Sequence, residues 1–83
     1  MATTKQVIKG LDCWITVEPF IVLNQQRTQA VDTGRYVSWF SFAEPGIYNG
    51  RPVLNSDGSL AVFDTYQAAF DAAVWVAHAS IQP

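Results

Sequence analysis

The fold is decided by the stretch that begins Val62-Phe63-Asp64-Thr65-Tyr66-Gln67 and ends His78-Ala79-Ser80-Ile81. It predicts a strand that runs directly into an amphipathic helix. Asp64 as the N-cap would place Gln67 at the third helical position, a variant of the capping box, with Thr65 as the alternative start. Alanines recur on the apolar side of the helical wheel, and small side chains let a helix lie close to a sheet. The stretch therefore predicts a helix packed on a sheet.

The residues before this helix favour strands. Val7-Ile8 predicts a short strand, and Cys13, Ile15 and Val17 alternate with Trp14 and Thr16 in the pattern of a second strand. Residues 35–43 form the clearest strand, with aromatic side chains on both faces. The polar residues 24–29 predict an extended arm that turns at Asp32-Thr33-Gly34, and Asn55-Ser56-Asp57-Gly58-Ser59 predicts a hairpin loop.

These elements predict a single α+β domain over residues 1–83. Residues 1–63 supply an antiparallel sheet of four or five strands, and one C-terminal helix over residues 64–81 packs on one face of it. A chain of 83 residues is expected to hold one hydrophobic core. Charged residues make up 14% of the chain, against a usual value of about 25%, and aromatic residues 13%. This composition favours a surface that meets a partner.

The charges disfavour direct binding of nucleic acid. The chain has five Lys and Arg and seven Asp and Glu, for a net charge of −2, and the cations do not cluster as phosphate contacts require. No apolar run of the signal-peptide or membrane-spanning kind is present in the sequence. The single Cys13 favours a reducing compartment. We therefore expect a cytoplasmic protein that makes no membrane contact.

No group of residues in the sequence carries a catalytic or metal-binding signature. His78 is the only histidine, and Asp71 lies about two helical turns earlier, beyond direct hydrogen-bonding reach along the helix. Cys13 falls on the inward side of its strand, which favours an inert thiol. No spacing suits zinc or calcium. We expect no enzyme activity, no cofactor and no metal; a small Cys-dependent enzyme remains an alternative.

Aromatic residues are the candidates for a binding surface, because Trp and Tyr dominate interface hot spots. Trp39 is expected in the core. Trp75 borders the polar strip of the helix, and Tyr48 falls in a loop bounded by Pro and Gly. The predicted protein-binding residues are Trp75, Tyr48, Asp71, Gln67 and Arg51.

The C-terminal half of the chain, a hairpin running into Phe63-Asp64-Thr65 and an alanine-spaced helix, resembles many small phage-encoded α+β proteins, among them anti-CRISPR proteins. The resemblance extends to size, mild acidity and the lack of catalytic motifs. It implies a non-enzymatic inhibitor in the host bacterial cytoplasm that binds a larger host protein or nucleoprotein complex and acts by steric occlusion. The alternative is a structural or scaffold protein, in which residues 35–43 pair across a two-fold axis to make a homodimer.

Overall fold

A computed structural model describes residues 2–44 and 50–81 of the chain. Within these residues, one antiparallel sheet has the strand order β1-β2-β3-β4, and one helix packs on a face of it. This arrangement confirms the predicted α+β fold. The elements are β1 (Ala2–Ile8), β2 (Leu11–Leu23), β3 (Ala30–Ser41), β4 (Arg51–Pro52) and α1 (Tyr66–Ser80).

The first strand is longer than Val7-Ile8. Strand β1 pairs with β2 over its whole length, from Ala2 opposite Val17 to Ile8 opposite Leu11. Lys9 and Gly10 connect the two strands with φ of 50° and 79°. Two successive positive φ angles are typical of the tight hairpin turn whose twist matches that of antiparallel strands. The polar residues of β1 therefore become a strand because this turn aligns them with β2.

The core lies between α1 and one face of the sheet. The predicted alternation in β2 is confirmed, because Cys13, Ile15 and Val17 all belong to this core. Phe40 joins them from β3. Three alanines of α1 are fully buried against the sheet, and their small size allows the close contact that the sequence predicts: Ala69, Ala73 and Ala77.

Thr65, the alternative start, is the N-cap of α1. Its φ of −133° is extended, and its Oγ1 accepts a hydrogen bond from the Ala68 backbone N–H at 3.1 Å. The capping box expected between Asp64 and Gln67 is not formed. Asp64 lies one residue before the N-cap, where its Oδ1 is 3.3 Å from Nε of Arg35 on β3. Because the Thr65 hydroxyl accepts a hydrogen bond from the first turn of α1, Asp64 does not serve as the cap and forms the exposed ion pair instead.

The prediction that residues 24–29 form an extended arm that turns at Asp32-Thr33-Gly34 is wrong. The chain turns at residues 24–29 instead, and Thr33, Gly34 and Arg35 form a bulge inside β3 between the paired residues Asp32 and Tyr36. The bulge lies where Pro19, which has no N–H to donate, interrupts the ladder; Tyr36 is opposite Pro19 but Asp32 is opposite Ile21. Gly34 has a φ of 75°, a conformation that suits the bulge. Residues 20–33 beyond this point are called the hairpin arm below.

The second hairpin has the predicted loop. Leu54 bridges Leu60, and the Gly58 N–H donates to the Asn55 carbonyl at 3.0 Å with φ of 88° at Gly58. After this loop the chain returns to the sheet, where Phe63 pairs with Tyr36 on β3. This pairing brings the chain to the start of α1 and fixes the position of the helix over the sheet.

The hydroxyl of Ser38 is buried without a hydrogen bond among the described residues. Its side chain is fully buried, and its Oγ has no hydrogen-bond partner among the residues that the structure describes. A desolvated hydroxyl without a partner is unfavourable. Ser38→Ala is therefore expected to raise the free energy of unfolding by about 1 kcal/mol, measured by urea denaturation.

The matched control is Ser41→Ala. The Ser41 hydroxyl donates to the Ala43 carbonyl at 2.7 Å and accepts from the Ala43 N–H at 3.1 Å, so its removal is expected to lower stability. A loss of stability in Ser38→Ala as well would contradict the assignment of Ser38 as unpartnered.

Candidate protein-binding surface

The outer side of α1 presents three of the five predicted binding residues in one row. Gln67, Asp71 and Trp75 are spaced four residues apart, so they lie one above the other on the helix surface. All three are exposed, and Trp75 is exposed by 72%. This row is called the helix stripe below.

The polar part of the helix stripe is internally ordered. Nε2 of Gln67 donates to Oδ1 of Asp71 at 2.8 Å, across one turn of the helix. The hydrogen bond restricts both side chains before any partner arrives. Restricting side chains in advance lowers the entropic cost of binding. The stripe thus combines a large aromatic surface with an oriented carboxylate on a rigid element.

The other two predicted residues do not join this row. Arg51 is exposed and lies on β4, a different element, where it is opposite Phe40 in the sheet register. Tyr48 lies outside the described residues. The helical spacing of the sequence therefore identifies the three residues of the stripe, whereas it offers no means of relating Arg51 or Tyr48 to them.

The sheet face away from α1 carries two tryptophans. Trp14 and Trp39 are both half-buried there, and Nζ of Lys5 lies 5.6 Å from the centroid of the Trp14 ring. Thr16 on this face is fully buried and its Oγ1 lies 3.0 Å from that of Thr3. The expectation that Trp39 belongs to the core is wrong, because Trp39 is half-buried and lies outside the cluster of buried residues that packs between α1 and the sheet.

The aromatic half of β3 has both of its edges occupied. On one side, residues 36–41 pair with β2; on the other, Trp39 and Phe40 pair with β4 and Tyr36 pairs with Phe63. A second copy of the chain therefore has no free backbone edge at this segment. Two-fold pairing through the strand edges is therefore not available over residues 36–41, and the scaffold alternative of a homodimer built on residues 35–43 stays a prediction.

Cys13 lies inside the core, where its side chain is fully buried. Burial raises the pKa of the thiol, and a hydrogen bond with the Ser41 backbone offsets part of that rise. A thiol of raised pKa holds little thiolate at neutral pH. His78, the other residue weighed for catalysis, is exposed on α1.

We expect Cys13 to react slowly with iodoacetamide in native buffer at neutral pH and rapidly in urea. The native reaction waits for the core to open, whereas the unfolded thiol has its ordinary pKa and full access. Mass spectrometry of timed samples measures both rates. Fast modification of the folded protein would support the alternative of a Cys-dependent enzyme.

The hairpin arm is an apolar surface that the sequence analysis did not identify. Its strands carry exposed aliphatic side chains on both faces, because Ile21 and Leu23 point to one side and Val22 to the other. The signal in the sequence is Phe20-Ile21-Val22-Leu23, an apolar run without alternation. The exposed fractions are 53% for Ile21, 38% for Val22, 59% for Leu23 and 43% for Val31.

Comparison of the chain with protein-family models, with curated proteins and with solved structures gives no match. In residues 2–44 and 50–81, no three His, Cys, Asp or Glu side chains come together as metal ligands would. The one helix of that part of the chain lacks the length and apolar character needed to cross a membrane.

Proposed function

We propose that this chain is a non-enzymatic protein-binding domain that inhibits a larger host protein or nucleoprotein complex by steric occlusion, in the manner of an anti-CRISPR protein. The proposal places it in the cytoplasm of a bacterial host, encoded by a phage, without a cofactor and without direct contact to nucleic acid. The observation that carries the proposal is Trp75, exposed by 72% on the helix stripe.

The position of Trp75 supports a role in binding rather than in folding. The core is closed by the fully buried Ala69, Ala73 and Ala77 on the opposite side of the helix, so it does not need the indole. A tryptophan left in water gives up the free energy that its burial would release. A partner that covers Trp75 recovers that free energy, which makes it the natural anchor of an interface.

The other two residues of the helix stripe, Gln67 and Asp71, indicate the chemistry of the partner. Asp71, oriented by Gln67, lies one turn before Trp75 and offers an acceptor to a cationic or N–H donor group. Subunits that hold nucleic acid display Lys and Arg for the phosphate backbone. A carboxylate beside an aromatic anchor suits such a basic surface, and a bound domain would then block the approach of nucleic acid.

The proposal is tested by capture of the partner from a bacterial host lysate. The tagged chain is expected to retain a stoichiometric host protein or nucleoprotein subunit, identified by mass spectrometry. Trp75→Ala is expected to weaken that interaction by about 2 kcal/mol, roughly 30-fold in Kd, and to leave the thermal unfolding midpoint unchanged.

Leu54→Ala is the matched control for this experiment. Leu54 is exposed by 50% in the second hairpin, so its truncation removes an exposed apolar side chain from another part of the molecule. Capture should survive in this variant. Equal capture by Trp75→Ala and the wild type would contradict the proposal, and so would unfolding of Trp75→Ala, which would assign the indole to the core.

A further inference from the structure

The hairpin arm extends beyond the body of the domain with no other strand beside it. Pairing of β1 with β2 ends at Val17, and the backbone pairing on the other side of β3 ends at Tyr36, which pairs with Phe63. Among the described residues, the arm is thus a two-stranded ribbon with both outer edges unpaired. Such a ribbon is marginally stable alone in water, and a further strand or an apolar contact stabilises it.

The chain exposes more surface than a compact monomer of its mass. The 9.2 kDa chain exposes 5719 Å², whereas a compact monomer of that mass exposes about 4,900 Å². Its radius of gyration is 13.6 Å, against about 12 Å for a compact domain of this length. The excess of about 800 Å² is of the size that one partner contributes to a standard interface, so the chain has surface enough for one.

The charges on the arm indicate which partner fits. The arm has one cation, Arg27 at the tip, and one anion, Asp32 at the base, so it has no net charge to repel another arm. Two arms laid side by side in opposite directions would place Arg27 of each copy near Asp32 of the other. Parallel arms would instead place the two Arg27 side chains together.

We propose that the hairpin arm is a self-association surface, on which two copies of this chain pack their arms antiparallel about a two-fold axis. Each copy buries Leu23 and its aliphatic neighbours against the same residues of the other, and the Arg27–Asp32 pairs fix the direction. The dimer differs from one built on residues 35–43, because it uses the part of the sheet whose edges are free. It leaves the helix stripe for another partner.

Sedimentation equilibrium over a concentration series tests the proposal. The mass is expected to rise from 9.2 kDa at dilution towards twice that value. Leu23→Glu, which places a charge in the apolar contact, is expected to raise the dimer Kd at least tenfold. A mass of 9.2 kDa throughout the soluble range would overturn the proposal.

Leu54→Glu is the control, because it introduces the same charge at a leucine that is exposed by 50% away from the arm. It should dimerise as the wild type does. Equal weakening in Leu54→Glu and Leu23→Glu would assign the effect to net charge and overturn the arm as the interface. If the wild type is a monomer and Leu23→Glu no longer captures a host protein, the arm binds a foreign partner rather than a second copy, which would also overturn the proposal.

The direction of the arms is tested by a double-mutant cycle. Arg27→Gln and Asp32→Asn are each expected to raise the dimer Kd about two- to fivefold at low salt, and the double variant no further. Asparagine keeps the side-chain oxygen that accepts from the Gly34 N–H in the bulge. Additive effects would overturn the antiparallel arrangement. Trp75→Ala should dimerise normally, which separates this result from that of the partner capture.

Discussion

Ile15→Ala is expected to lower the free energy of unfolding by about 4 kcal/mol. Ile15 is fully buried in β2, directly opposite Phe40, and belongs to the core that the helix alanines close. The loss combines removed apolar contact with a cavity that close-packed neighbours fill only in part. A domain of this size has a total stability on the order of 5 kcal/mol, so the variant should be close to unfolding at room temperature.

The matched control is Ile21→Ala, the same change further along the same strand. Ile21 is exposed by 53% on the hairpin arm, and its truncation is expected to cost less than about 1 kcal/mol. Urea denaturation followed by tryptophan fluorescence measures both, at high dilution so that self-association does not contribute. Similar losses in the two variants would contradict the placement of the core on the helix side of β2.

The alternation that buries Ile15 is a local property, and the sequence predicts it well. Side chains of a strand point to opposite faces in turn, so Cys13, Ile15 and Val17 must share a face wherever the strand lies. The spacing of Ala69, Ala73 and Ala77 likewise defines one face of a helix. These two patterns need no knowledge of neighbouring strands, and together they give the fold class.

The features that the sequence does not predict depend on pairing between distant residues. Asp32-Thr33-Gly34 has the composition of a turn, but Asp32 pairs with Ile21, and Thr33 and Gly34 fall in a bulge that ends at the pair of Tyr36 with Pro19. The polar residues of β1 have little strand character, and they become a strand because the turn at Lys9-Gly10 aligns them with β2. A single sequence shows the composition of such segments but not their partners.

The candidate binding surfaces likewise include one that the sequence predicts and one that it does not. Gln67, Asp71 and Trp75 are related by helical spacing alone, so the sequence places them in one row. The exposure of Ile21, Val22 and Leu23 is not predicted by the sequence, because the apolar run Phe20-Ile21-Val22-Leu23 is equally typical of a buried strand. Its exposure follows from where β1 and the second hairpin end, which only the three-dimensional arrangement reveals.

Ala73→Leu is expected to lower the free energy of unfolding by about 3 kcal/mol, through overpacking rather than a cavity. Ala73 is fully buried between its two neighbouring alanines on α1, where close-packed atoms leave no room for a larger side chain. Alanine and leucine are both good helix formers, so the change leaves the intrinsic stability of the helix almost unaltered. The decrease in the free energy of unfolding would therefore indicate how closely α1 packs against the sheet.

Ala79→Leu makes the same change on an exposed part of α1 and is expected to alter stability by no more than about 0.5 kcal/mol. Urea denaturation followed by far-ultraviolet circular dichroism measures both variants, and equal stability would contradict the close contact. Partner capture gives a second reading. About 2 kcal/mol of stability would still keep most molecules folded, so Ala73→Leu should lose stability and retain capture, whereas Trp75→Ala should lose capture and retain stability. That difference separates a residue that packs the helix on the sheet from the residue that makes the contact.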